Sequence, residues 1–112
     1  MNVKQKELVL LRFPFSNLEG GKVRPALVVS NNLFNNKSDD CIMIPLTSVI
    51  KDEPYSRLIK QEDLEIGKLL KTSRVRTDKI FAVEKNLIEM KIGILHNDCF
   101  NSIRKQISSI FE

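Results

Sequence analysis

The chain has 112 residues, of which 42% are hydrophobic and 29% charged, with a formal net charge of +4. That length holds one core and excludes an enzyme with a separate cofactor domain, and the composition is that of a folded domain, so residues 1–112 are expected to form a single unit. The positive balance favours a polyanionic partner. Cys41 and Cys99 stand far apart without a CxxC pair, and His96 is the only histidine. This spacing indicates neither a zinc site nor a disulfide framework, and both thiols are expected to be free and buried. The first residues are charged and the following apolar stretch is interrupted by Arg12. It is too short for a signal peptide or a membrane span, which points to the cytoplasm.

In chain order, residues 7–15 are rich in Leu, Val and Phe and run into Pro14 and a Ser-Asn-Leu-Glu-Gly-Gly stretch, which predicts a strand followed by a turn-rich loop. Residues 23–29 supply a second, β-branched strand, closed by Ser30, Asn31 and Asn32. The continuous apolar run 41–46 predicts a strand buried on both faces. Residues 49–53 read as loop, 54–60 as a short edge strand and the acidic 62–65 cluster as an exposed turn. Further strands are predicted over 69–75 and 80–83, with 76–79 either extending the first or linking the two. At the C-terminus Asn97 can cap a helix, and Cys99, Phe100, Ile103, Ile107, Ile110 and Phe111 form one apolar stripe that should lie on the sheet. The expected fold is a small, mainly antiparallel β domain, barrel-like, with a closing helix.

Three places can carry chemistry. Glu19 lies in the Gly-rich loop, and Arg24 precedes Pro25, which drives its backbone to extended geometry and aims its side chain. A guanidinium is always charged and presents a planar fork suited to a phosphodiester. The competing reading is a surface ion pair at a hairpin. Thr47 and Ser48 place hydroxyls at a strand exit, where they can bond a phosphate oxygen or cap the local turn. If extended, Arg74, Arg76 and Asp78 share one face and combine cationic forks with a base, or form a solvated strand face. Phe13 and Phe15 fit a core better than a base-stacking platform, and His96 receives no role.

The blocks Gly21-Lys22-Val23-Arg24-Pro25-Ala26-Leu27-Val28-Val29-Ser30 and Ile44-Pro45-Leu46-Thr47-Ser48 resemble the MazF/PemK/Kid toxins, ribosome-independent endoribonucleases of toxin–antitoxin modules. The resemblance continues through Gly67-Lys68-Leu69-Leu70-Lys71-Thr72-Ser73-Arg74-Val75, Asp78-Lys79-Ile80 and Lys91-Ile92-Gly93-Ile94-Leu95. It implies a mainly β, SH3-like barrel of the CcdB/Kid/MazF type with a C-terminal helix, acting as a homodimer that cuts single-stranded RNA at short sequences. No metal or other cofactor is implied, and a cognate antitoxin is. By position, Arg24 and Thr47 resemble the arginine and threonine needed for cleavage, Glu19 the acidic loop residue, and Arg76 and Asp78 the Arg-x-Asp pair of the Kid branch. Ser48, Arg74 and Lys79 are candidate RNA contacts. The loop histidine of Kid is absent here.

The expected reaction is attack of a ribose 2′-OH on the adjacent phosphorus, with Asp78 or Glu19 as base, leaving a 2′,3′-cyclic phosphate and a 5′-OH end. The alternatives are a CcdB-type gyrase inhibitor, or a catalytically silent module that binds nucleic acid or a partner on the same fold.

Overall fold

A computed structural model describes residues 2–12 and 23–112. Glu19, Phe13 and Phe15 lie outside them. The described elements are β1 (Glu7–Arg12), β2 (Val23–Val28), α1 (Asn32–Lys37), β3 (Asp40–Thr47), β4 (Ser56–Ile59), β5 (Leu64–Gly67), β6 (Ser73–Arg76), β7 (Phe81–Glu84), β8 (Ile88–Leu95) and α2 (Asn97–Ser109). The strands run in the order β4-β6-β3-β2-β1-β8-β5, with β7 pairing along the first half of β3. Among the described residues all strand pairings are antiparallel.

This order cannot be flat. Six strand spacings of roughly 4.8 Å would separate β4 from β5 by about 29 Å. Yet only the short 3₁₀ turn Gln61–Asp63 and its flanking residues join them, a segment whose full extension is about 18 Å. The sheet must therefore curl until its ends approach, and it forms the half-barrel expected.

Apolar residues fill both faces of the central strands. Leu8, Leu27 and Ile44 face the inside of the curl, where Cys99, Phe100 and Ile103 of α2 cover them. Their neighbours Val9, Val28 and Met43 form a second cluster on the other face with Val3 and Ile88. Burial on both faces is why these strands read as continuous apolar runs. Cys41 and Cys99 are buried free thiols, and burial pushes Cys41 up to about 11.

Several expectations are corrected. The strand expected over 69–75 is Ser73–Arg76, and the acidic cluster leads straight into β5. β8 forms where the sequence pattern predicts no strand: its pairing with β1 shifts register twice, and each bulge moves side chains to the opposite face and erases the alternation. Gly67 (φ +97°) and Gly93 face each other where β5 crosses β8. A Cβ on Gly67 would stand 2.2 Å from the Ile92 carbonyl oxygen, which restricts the position to glycine. Asn97 does not cap α2. His96 occupies the cap position without a side-chain bond, and Asn97 Oδ1 accepts from Lys6 Nζ at 2.5 Å. The helical stripe is covered only in part, since Ile107 is half-buried and Ile110 and Phe111 are exposed.

Residues 30–32, read as a turn, lead into α1, where Asn31 Oδ1 accepts from the Phe34 amide at 2.8 Å. Asn35 is fully buried and donates from Nδ2 to the Ser30 carbonyl at 2.9 Å, while Ser30 Oγ donates to Asn35 Oδ1 at 2.5 Å. The Ile42 amide donates to Ser30 Oγ at 2.9 Å, so this network ties α1 to β3. Asn35→Leu strands these buried groups and is expected to cost about 2 kcal/mol. A urea midpoint lowered with unchanged slope checks this.

Candidate functional site

β2 and β3 pair with Ala26 opposite Pro45 and Leu27 opposite Ile44. Arg24 and Thr47 lie two residues beyond the Ala26–Pro45 pair, on these two neighbouring strands. Pro25 keeps Arg24 extended, and Thr47 closes β3 two residues after Pro45, beyond the buried Leu46. Arg24 is exposed and Thr47 half-buried. Both line one cleft of about 710 Å³. Its apolar lining includes Leu10, Pro25, Pro45, Leu69, Leu70 and Ile92, and its polar lining includes Ser48, Ser73, Lys71, Arg76 and Lys79.

The cleft's described lining holds four cationic side chains, Arg24, Lys71, Arg76 and Lys79, and no carboxylate. A second depression of about 760 Å³ has the opposite character, with Asp39, Asp40 and Glu84 against Lys85. Positive charge is thus gathered where Arg24 and Thr47 meet, and a polyanion is drawn there and repelled from the other depression.

Thr47 Oγ1 accepts from the Val49 amide at 3.2 Å, the turn-capping role anticipated for it. A hydroxyl has one proton and two lone pairs, so capping leaves the Thr47 proton to donate into the cleft. The two readings of this residue are compatible.

Arg76 and Asp78 are brought together, but not by extended alternation. β6 ends at Arg76, and the Lys79 amide closes a turn onto the Arg76 carbonyl at 3.2 Å. Asp78 folds back, and its two carboxylate oxygens accept from Arg76 Nε at 3.2 Å and Nη2 at 3.1 Å. This fork holds the Asp78 carboxyl below its ordinary value and raises Arg76. Asp78 therefore stays ionised across the physiological range. Arg74 is directed elsewhere: its Nε donates to Ser56 Oγ at 2.9 Å and its Nη2 to Asp52 Oδ1 at 3.2 Å. It lies opposite Thr47 on the neighbouring strand without lining the cleft.

The structure thus gathers Arg24, Thr47, Ser48, Arg76 and Lys79, with Asp78 attached through Arg76. Lys71 also lines the cleft, although in the sequence only its charge marks it. Among the described residues no three His, Cys, Asp or Glu side chains are grouped to hold a metal ion, and no helix is long and apolar enough to cross a membrane.

Comparison with known proteins places this fold. No curated protein matches the chain by sequence. Among solved structures, MazF from Deinococcus radiodurans superposes with a TM-score of 0.78 at 22% identity, over 99% of this chain and 97% of that one. The MazE-MazF complex of the same organism gives 0.80 at 22% identity, again over 99% and 97%. An endoribonuclease in complex with its cognate antitoxin, from a mycobacterial species, gives 0.79 at 18% identity, over 97% and 94%. These likenesses establish the MazF-like fold. The family model described as PemK-like, MazF-like toxin of type II toxin-antitoxin system matches residues 4–111. With nearly the whole chain matched and this barrel beneath it, the protein belongs to the PemK-like, MazF-like toxins of type II toxin–antitoxin systems.

Proposed function

We propose that this toxin is an endoribonuclease that cuts single-stranded RNA at short sequences without a metal ion. The observation that carries the reading is that Arg24 and Thr47, on neighbouring strands, line one cleft whose described lining holds four cations and no carboxylate. Solved structures with this fold include proteins described as endoribonucleases.

In the proposed reaction a ribose 2′-oxygen forms a bond to the neighbouring phosphorus as the bond from phosphorus to the 5′-oxygen breaks. The 2′-OH proton passes to Asp78 or Glu19, and the leaving 5′-oxygen takes a proton from solvent water. The products are a 2′,3′-cyclic phosphate and a 5′-OH end. Arg24 stabilises the charge gathering on the phosphoryl oxygens, and the Thr47 hydroxyl orients the same group. Arg76 keeps its proton at any working pH, so its contribution is electrostatic. Its fork is occupied by Asp78 at rest. A phosphate that takes over the fork releases Asp78, whose basicity then rises. Ser48, Lys79 and Lys71 contact backbone phosphates and set register. Arg74 contributes only if it leaves Ser56 and Asp52.

The chain acts as a cytoplasmic homodimer, whose paired clefts span several nucleotides. Its activity is held in check by an antitoxin whose acidic segment occupies the basic cleft.

The test is incubation of purified protein with a long single-stranded RNA in EDTA, followed by analysis of the ends. Cyclic-phosphate and 5′-OH termini are expected. Intact RNA would favour a CcdB-type gyrase inhibitor or a silent binding module, and loss of cutting only on chelation would remove the metal-free chemistry.

A further inference from the structure

Thr77 sits between the two forked residues, and nothing in the proposed reaction uses it. It is fully buried in a turn whose neighbours reach the surface. Its amide donates to the Tyr55 carbonyl at 3.0 Å. Its hydroxyl donates to Gln106 Oε1 at 3.0 Å, and Gln106 Nε2 donates to the Pro54 carbonyl at 3.4 Å. The directions of these bonds are determined. A backbone carbonyl only accepts, so the Gln106 amide nitrogen must face Pro54, its oxygen must face Thr77, and Thr77 must be the donor. The turn that folds Asp78 onto Arg76 is therefore bolted at its midpoint to two other elements, the segment entering β4 and the third turn of α2. These attachments bond neither Arg76 nor Asp78 themselves.

We propose that Thr77 and Gln106 are positioning residues for cleavage, holding the 76–78 turn in the one arrangement that sets Arg76 in the cleft lining with Asp78 forked onto it. The inference rests on the reading of that pair as part of the reactive site. A free turn of this kind has several arrangements of similar energy. A displacement of about 1 Å in a reacting group can cost on the order of 10²-fold in rate. The geometry of the site is thus set in part by a helix outside the cleft.

The experiment compares Thr77→Val, Gln106→Leu, Thr77→Ser and Asp78→Asn with wild type on an oligoribonucleotide spanning one mapped cut, with rates expressed per folded protein. Thr77→Val and Gln106→Leu are expected to lower kcat by about 10- to 100-fold with KM nearly unchanged. Thr77→Ser, which keeps the donor, is expected to restore most of the rate. Arg76 and Lys79 are the charged groups acting on Asp78, and Glu53 acts on Arg76 in turn. Loosening the fork therefore moves the acid limb of the pH–rate profile upward in the two slow variants. A loss explained by the folded fraction alone, with the acid limb unmoved, overturns the inference. So does a wild-type kcat in both variants while Asp78→Asn is inactive, or an effect confined to KM. Full activity of Asp78→Asn instead overturns the underlying reading of Arg76 and Asp78. Should Thr77→Val fail to fold, Gln106→Leu, half-buried on the helix, decides the question by the same criteria.

Discussion

Arg24→Ala is expected to fold as the wild type does and to lose RNA cleavage by about 10²- to 10³-fold, carried mainly by kcat. Arg24 is exposed at the end of β2, and substitutions at such surface positions usually change stability by less than about 0.5 kcal/mol. Its value lies in the charge that builds on the phosphoryl oxygens as the 2′-oxygen attacks, an interaction stronger in the transition state than in the bound ground state. Arg24→Lys keeps the charge and loses the planar fork, so an intermediate rate is expected. Thr47→Ala should behave in the same direction, with Thr47→Ser retaining a hydroxyl at the same strand exit. Single-turnover cleavage of a defined oligoribonucleotide, with far-UV circular dichroism as the folding control, checks the series. Full activity in Arg24→Ala would move the reaction away from the β2–β3 exit.

Asp78→Asn is expected to cost about 10²- to 10⁴-fold, the usual contribution of a positioned base. The pH dependence separates this role from one carried by Glu19. Because Asp78 is held below its ordinary value by the Arg76 fork, its ionised form persists to lower pH than a free carboxylate would. Activity that needs ionised Asp78 is present above the lowered value and disappears as pH falls through it. The kcat/KM of the wild type should therefore stay level on the acid side to lower pH than an unpaired carboxylate would allow. A limb at higher pH, present also in Asp78→Asn, would assign the proton transfer to another group, with Glu19 the candidate.

How far the site can be read from the chain depends on which residue is asked about. Arg24 and Thr47 are legible because their local sequence constrains them, each adjoining or following a proline at a strand that must pair. Asp78 is legible in type but not in placement: alternation predicts a shared face with Arg76, and the structure reaches the same pairing through a turn. Arg74 has the same charge and spacing as Arg76, yet Ser56 and Asp52 take its guanidinium away from the cleft. Lys71 enters the cleft without any local pattern to mark it, because a lysine's position is decided by where the neighbouring strands put its backbone.

Residue type by residue type, the chain determined its own class, charge and secondary-structure periodicity. Apolar runs in short stretches with turn residues between them can satisfy backbone hydrogen bonds and bury surface only as a small antiparallel sheet, and an apolar stripe at helical spacing must find that sheet. Which strands became neighbours, and hence which side chains share the cleft, was decided by the tertiary structure. The bulges of β8 against β1 and the part-buried Thr77–Gln106 bond act between segments distant in sequence, and no local preference specifies a contact whose partner lies elsewhere in the chain.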